Sequence, residues 1–543
     1  MSTCIAFEAE IIEGRRGHLT ARVLGETTEE IYLHSAYDPV TEAAALVPGP
    51  VKASTLVFLG TGLGYHIPLT LNENPQVVRV ILVEIYPSLA ALAAHGCACS
   101  GITVDIVTSS GDQPGAPPDL PADLDARDLF VVSHPPSVRA NPTWYSRIHA
   151  KVTTCGSKAW WLGSGSRECR TILVPFGAYY AENECIRGFQ SLGHHVIPFE
   201  YRRSEEEILR SFREILLDTP PDLVFSVNMR GMDGRGIMAG IMSELQLPVA
   251  FWFVDSPEFI LPHSHLPSKE ICSIFMWDRS YISETASRGF NTTYLPLAAD
   301  ADLGGAAVLK QAFQAPLAFV GNSLASGFLA RLVSKFPING ETEHMAEQAI
   351  SRLIGCRGRQ LEVLEELATG RESFKDPEQN LFWRAYLLHG ATTVYRTAVL
   401  QKLLPYDLVF FGDPEGWQKI FGGKIDARPD VNYFHELPCV YRSSDITVNV
   451  TSFQMPRAVN QRVFDVPVCG GFLLTDRQEA LFEIFDEDEI AVYDSHEDVT
   501  HRMEYYRRKP LLRQSMMEKA CRRVKTEHTY RHRMKQVLEE VFR

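Results

Sequence analysis

Residues 441–476, "YRSSDITVNVTSFQMPRAVNQRVFDVPVCGGFLLTD", combine side chains that bind anions with side chains that bind hydroxyls. The apolar run Ile446–Val450 reads as a buried strand that ends in the polar turn Thr451-Ser452. The helix expected next carries Asn460, Arg462 and Asp465, and Gly470-Gly471 lead into a further strand. In outline this is a site for a diphosphate and a sugar. A helix N-terminus and loop N–H groups receive phosphate. Arg462 can hold an anion bidentately, and Asp465 can accept from ribose or sugar hydroxyls. The paired glycines let backbone approach a ligand. The same spacing also suits a plain surface ion pair, because Arg462 and Asp465 lie three apart on one helix.

A second stretch, Leu56–His66 ("LVFLGTGLGYH"), empties a run of β-formers into Gly60, Gly62 and Gly64. Glu84 follows twenty residues after Gly64, at the end of the next strand. A Rossmann turn or a class I methyltransferase places an acid there for ribose hydroxyls. The four residues therefore mark a nucleotide-like pocket, with S-adenosylmethionine as one candidate ligand and a methyltransferase as the alternative activity. "VVSHPPSV" echoes the (D/N)-P-P-(Y/F) motif of amino-methyltransferases, but His134 and Ser137 stand at its outer positions. The other reading of this region is a degenerate Rossmann unit that docks and binds no cofactor; a non-catalytic scaffold is the corresponding alternative for the whole chain.

These residues need parallel sheets behind them. The 543 residues suffice for about three domains. Strands and helices alternate in three blocks, an α/β class of three Rossmann-like units. The first unit is 1–165, with strands at 55–60, 77–86, 102–108 and 128–134. A Gly/Ser-rich break near 160–169 precedes the second unit, 170–300, with six strands from "TILVPFG" to "TYLPLA". The third, 315–543, opens on "PLAFVGN", carries a helical insertion over about 325–404, and resumes with "DLVFFGD", "ITVNVT", "GFLLTD" and "EIAVYD". Ligands of open α/β sheets bind beyond the carboxyl ends of the strands, so two adjacent units imply a cleft with one substrate on each wall.

Composition narrows the class. A net charge of −14 argues against a general nucleic-acid binder, while leaving room for a local basic pocket. The eleven cysteines form no C-x-x-C pair, which suits a reduced, cytoplasmic protein. The first residues carry no apolar signal region and no run of eighteen apolar residues occurs, so neither secretion nor integral membrane association is expected.

The third unit resembles the C-terminal glycosyltransferase domain of the CgeB-like family. The matching residues are Asn449, Arg462, Phe464, Cys469-Gly470-Gly471 and Leu474-Thr475-Asp476, with His528, Thr529 and Arg533 near the end. Asp465 stands where that family and its retaining relatives carry Glu. "PDLVFSVNMRGMDGRG" and "PVAFWFVDSPEF" resemble the accompanying N-terminal domain, so the likeness spans about 170–540. It implies a GT-B, GT4-like glycosyltransferase with its nucleotide-sugar donor (UDP- or GDP-sugar) on the C-terminal half and its acceptor on the N-terminal half. No metal and no further cofactor is implied, and the acidic run Asp486–Asp488 reads as a solvated loop. Under this resemblance Arg462 neutralises the leaving diphosphate, with Asn449, Asn460 and Asp465, the glycines Gly470 and Gly471, and the strand-end pairs Gly321-Asn322 and Gly412-Asp413 as donor contacts. Asp255, at the end of an apolar strand, is a base or acceptor ligand, or else a helix cap before Pro257. His263, His265 and Asn228 are weaker acceptor-side candidates. "GTGLGYH" with "VILVEIYP" is similar to the N-terminal region of the motility-associated factor family, which implies a bacterial surface or flagellar protein, or a glycan, as acceptor.

Overall fold

The computed structural model describes residues 9–14, 17–26, 29–97, 101–109, 118–155, 168–177, 179, 181–324, 340–368, 376–423 and 425–543. The N-terminal part opens with an antiparallel meander, β1 (Ala9–Glu13), β2 (Leu19–Leu24) and β3 (Glu30–Tyr32), which the sequence reading did not anticipate. Its strands mix charged and apolar residues and are only partly buried, so no strong apolar run announces them. A parallel four-stranded sheet follows: β4 (Thr55–Leu59), β5 (Arg79–Val83), β6 (Thr103–Val107) and β7 (Leu129–Ser133), in the order β6-β5-β4-β7. Part of the Pro/Gly loop (110–117) and most of the expected linker (156–167) lie outside the described residues.

The second sheet holds β8 (Thr171–Phe176), β9 (His195–Glu200), β10 (Leu223–Val227), β11 (Val249–Phe253), β12 (Cys272–Met276) and β13 (Asn291–Tyr294). The third holds β14 (Leu317–Val320), β15 (Leu408–Phe411), β16 (Asp426–Arg428), β17 (Thr447–Asn449), β18 (Leu473–Asp476) and β19 (Ala491–Tyr493). Both are fully parallel, and β10, β11, β12, β15, β17 and β18 are buried along their whole length, as expected of sheets covered on both faces. The orders are β13-β12-β11-β10-β8-β9 and β16-β15-β14-β17-β18-β19. Chain direction across the sheet reverses between β8 and β10 in one and between β14 and β17 in the other. Those two reversals are where a doubly wound sheet opens a crevice at its carboxyl edge.

The carboxyl edges of the two large sheets face each other, which is the GT-B arrangement. Asp278, just past β12, accepts the N–H groups of Arg457 and Ala458 at 3.0 and 2.8 Å. Tyr281 donates its hydroxyl to the Gln454 carbonyl at 3.0 Å. A buried ion pair joins Glu258, past β11, to Arg384 at 2.6 Å. Arg384 lies on the long helix Pro377–Leu403, which with the helices Gly340–Gly355 and Gln360–Ala368 makes up the described part of the insertion; 325–339 and 369–375 fall outside it. Among the described residues no helix is long and apolar enough to cross a membrane.

The chain ends on the second sheet's side. After the helix Pro510–Glu527, the helix Tyr530–Val541 packs on the helix Glu182–Ser191 that follows β8. His528, Thr529 and Arg533 form the joint. Thr529 caps the last helix in a box with His532. Arg533, 2% exposed, donates to the carbonyls of Pro296 (2.8 Å) and Leu297 (3.2 and 3.1 Å). The motif is therefore a fastening between units. Replacing Arg533 with Met leaves those buried carbonyls without donors. Stability in urea unfolding should fall by about 2–3 kcal/mol; a loss below about 0.5 kcal/mol would show that the joint does not depend on Arg533.

Candidate functional site

The third sheet's reversal point carries two arginines that make no ion pair among the described residues. Arg462 opens the helix Arg462–Val468 behind β17. Its Nη1 donates to Asn449 Oδ1 at 3.3 Å, and its guanidinium lies over the Phe319 ring, 5.7 Å from the centroid. Gly321 makes room for it: a Cβ there would come within 2.6 Å of Arg462 Nη2, and φ of +147° suits glycine. Arg396 reaches the same place from the long helix. Its Nη1 donates to the Asn322 carbonyl at 2.8 Å, while its buried Nε has no partner among the described residues. Neither arginine makes an ion pair among the described residues. Burial, reinforced by the charge of Arg462, lowers the Arg396 guanidinium to about 9. A buried cation beside a second, half-buried one is costly to hold and ready to receive an anion.

Asn449 organises the floor. Its amide donates to Thr475 Oγ1 at 2.9 Å, and its Oδ1 accepts from Asn460 at 2.8 Å, leaving Asn460 Oδ1 buried without a partner. Asp476 accepts the Thr451 N–H and hydroxyl and pairs with Arg357 from the insertion, so it ties the ends of β17 and β18 together.

Across the cleft, Asp255 follows β11. Tyr179 donates its hydroxyl to Asp255 Oδ2 at 2.5 Å, and Asn228 donates its amide to the same oxygen at 2.8 Å. Asp255 is not a cap: Ser256 precedes the turn Pro257–Phe259, without a side-chain cap bond. Its Oδ1 makes no hydrogen bond among the described residues. His389, on the long helix, senses the Asp255 charge, but burial and Arg396 bring its imidazole down to about 4, so it is neutral near pH 7. His389 and Arg396 were missed in the sequence because they sit in an apolar helix. Their seven-residue spacing, which puts both on one face, was the available signal.

Residues 396–539 match the model of a glycosyl transferase-like family. That span is glycosyltransferase-like. It opens on Arg396 and contains Asn449, Asn460 and Arg462. Among solved structures the chain is similar to a sucrose-phosphate synthase from Thermosynechococcus elongatus, at 9% identity over 69% of this chain and 99% of that one, with a TM-score of 0.42. It is also similar to HepE from Anabaena in complex with UDP-glucose, at 7% identity over 68% and 98%, TM-score 0.40. A third is a UDP-forming α,α-trehalose-phosphate synthase from Burkholderia vietnamiensis, at 12% identity over 69% and 99%, TM-score 0.38. No curated protein matches the sequence.

Several expected donor contacts are engaged elsewhere. Gly470 and Gly471 lie at the far end of the 462–468 helix, before β18 and away from the carboxyl edge. Their lack of side chains admits Arg442 and the Tyr441 carbonyl, 2.8 and 2.6 Å from where a Cβ would sit. Asp413 caps the helix Pro414–Phe421 through the Gly416 N–H at 3.1 Å and binds the Ser323 N–H at 3.0 Å. It thus shapes the Gly321-Asn322 turn, and Gly412 brings β15 against Asn322. His263 is exposed, and His265 lies on Gly236 beside a cavity of about 650 Å³ shared with the helix Pro142–Thr154. Neither bonds Asp255 or the arginines among the described residues. The acidic run is paired: Asp486 and Glu489 bind Arg523, and Asp488 binds Lys519.

The glycine turn of the first unit is closed by its own residues. Glu84 is fully buried and accepts from the N–H groups of Thr61 and Gly62 at 2.7 and 3.1 Å and from the Tyr145 hydroxyl at 2.8 Å. His34 takes the Leu63 N–H at 2.9 Å, and a Cβ on Gly62 would lie 2.4 Å from that imidazole. His134 packs against the turn, with its Nδ1 2.8 Å from Ser137 Oγ. At the turn of Gly60, Gly62 and Gly64, read above either as a nucleotide-like pocket with Glu84 or as a degenerate unit, the Thr61 and Gly62 N–H groups serve Glu84 and the Leu63 N–H serves His34. His34, His66 and His134 stack together here, but no group of three or more His, Cys, Asp or Glu is placed to hold a metal among the described residues.

Asp465 is likewise turned from its expected role. No ion pair joins it to Arg462 among the described residues. It is 1% exposed and accepts from Tyr433 (2.9 Å) and Gln461 (2.7 Å). Burial lifts its carboxyl to about 7; Glu184, of the second unit, adds to the rise, and the hydrogen bonds and Arg462 oppose it. The unfolded carboxyl ionises near about 4. Between those values the folded state keeps a proton that the unfolded state has lost, so stability falls as pH rises through the window. Asp465→Asn removes that loss. Its melting temperature should gain on wild type between about pH 4.5 and pH 8, and parallel pH profiles would rule out this assignment.

Proposed function

We propose that the protein transfers a sugar from a nucleotide-sugar donor to a hydroxyl acceptor in the cleft between the second and third units. The observation that carries this reading is the pairing of buried Arg396 with half-buried Arg462 at the third sheet's reversal point, neither in an ion pair among the described residues. A diphosphate on that pair supplies the missing negative charge. The Gly321-Asn322 turn lets the ligand approach backbone, and the open Asn460 Oδ1 accepts from a donor hydroxyl or amide. The glycosyltransferase-like match over 396–539 supports the same reading.

The acceptor hydroxyl attacks the anomeric carbon, the bond from that carbon to the diphosphate oxygen breaks, and nucleoside diphosphate departs. Charge grows on the leaving oxygens, and the two guanidiniums are already oriented towards it in a site of low polarity, so no solvent has to reorganise. Asp255 Oδ1 is the group on the opposite wall able to take the hydroxyl proton, while Tyr179 and Asn228 fix the carboxylate through Oδ2. Neutral His389 contributes a donor or acceptor without adding charge beside Arg396. In this proposal the donor is a UDP- or GDP-sugar and no metal takes part.

Arg396→Met and Arg462→Ala should each weaken UDP or GDP binding by about 100-fold in calorimetry, a loss of one charge-assisted contact pair. Arg396→Met should melt no lower than wild type, because it removes an uncompensated buried charge. Unchanged nucleotide affinity in both variants would sink the proposal.

A further inference from the structure

The second sheet has its own reversal point, between β8 and β10, and the donor site does not use it. The loops that end these strands bring three side chains together. Arg230 sits over Tyr179, its guanidinium carbon 3.5 Å from the ring centroid. Tyr179 is the residue whose hydroxyl binds Asp255. Tyr201 closes the other side and is fixed by a 2.7 Å bond from its hydroxyl to Glu182. Glu182 also holds the β8 loop through the N–H groups of Gly177 and Tyr179 at 2.8 and 2.9 Å.

The backbone is forced to present this arginine. Asn228 and Met229 are consecutive non-glycine residues in the left-handed region, at φ of 53° and 54°. Such conformations cost energy and persist where the surroundings impose them. Here Asn228 is clamped on three sides: its Oδ1 accepts the Val254 and Asp255 N–H groups at 2.9 and 3.3 Å, and its amide holds Asp255. The result turns Arg230 to the carboxyl edge of the sheet, one ring away from Asp255. Arg230 is exposed and makes no ion pair among the described residues. The Tyr201 and Tyr179 hydroxyls bond its guanidinium, and the exposed remainder of its five-donor planar fork matches the geometry of a carboxylate or phosphate.

We infer that Arg230, seated on Tyr179, binds the anionic group of the acceptor, so the acceptor is a sugar or polyol bearing phosphate or carboxylate rather than a neutral one. This rests on the transferase reading and extends it to the opposite wall. The cleft then has two cationic poles, Arg396–Arg462 for the donor diphosphate and Arg230 for the acceptor, with Asp255 beside the latter to receive the hydroxyl proton.

The test uses the full-length protein saturated with UDP and titrated calorimetrically with glucose 6-phosphate, glucuronate and glucose, in wild type, Arg230→Gln and Arg230→Lys. The expected result is at least a ten-fold preference for an anionic sugar over glucose. That preference should vanish in Arg230→Gln and return in part in Arg230→Lys, with UDP affinity unchanged throughout. Stronger binding of the phosphate than of the uronate, or the reverse, names the anion. Equal binding of charged and neutral sugars, no binding of any of them, or a preference that survives Arg230→Gln overturns the inference. A loss of UDP affinity in Arg230→Gln also overturns it, by moving Arg230 to the donor. Failure of wild type to bind either UDP or GDP would instead refute the transferase reading.

Discussion

Arg396 and Arg462 meet at the third sheet's reversal point with no ion pair to either among the described residues, and much of the third unit is arranged around that fact. Folding gains nothing from such a pair. The Arg396 guanidinium gives up water and meets the charge of Arg462, and it is lowered to about 9 as a result. The surroundings bear this cost collectively. Phe319 offers a ring face, Asn322 a carbonyl and Asn449 an amide oxygen. The acids that would neutralise the pair are committed: Asp476 to Arg357 and Thr451, Asp413 to Ser323 and Gly416, Asp465 to Tyr433 and Gln461. The charge imbalance is thus protected by the local hydrogen-bond network.

The strands of the two large sheets could be read from sequence because a parallel strand covered on both faces is a continuous apolar run. Six of six were anticipated in the second sheet and five of six in the third; β16, "DAR", is a short polar edge strand with no such run. The antiparallel meander escaped for the same reason. In the site, Arg462 was visible because it opens the helix that comes next after a buried strand. Arg396 was not, since its helix is apolar nearly all round and its partner strands lie far away in sequence. Glycine was the most ambiguous sign. Gly321 does open space for the site, whereas Gly470 and Gly471 open it for a neighbouring helix, and spacing alone does not distinguish the two.

Glu84 shows a related ambiguity. Its position matched a ribose-binding acid, and its geometry does complete a Rossmann turn, but as an internal ligand. The first unit also lies on the outer side of the second unit. Its helix Pro142–Thr154 runs along the helix Ile237–Leu245, and Arg213 reaches over to the Leu129 carbonyl at 3.0 Å. A turn bonded to its own residues and a helix-on-helix contact fit a part that braces the second unit.

The return of the chain to the second unit has a mechanical consequence. The polypeptide passes between the two large units twice, once after Ala299 and once before Tyr530, and these passages are bonded side by side: Ala299 N–H to the His528 carbonyl at 2.9 Å, Tyr530 N–H to the Ala299 carbonyl at 3.0 Å. Two crossings laced at one place hold the junction between the units at a single backbone pair, so the helix that closes the chain bears on how the two walls meet as directly as the residues within the cleft do.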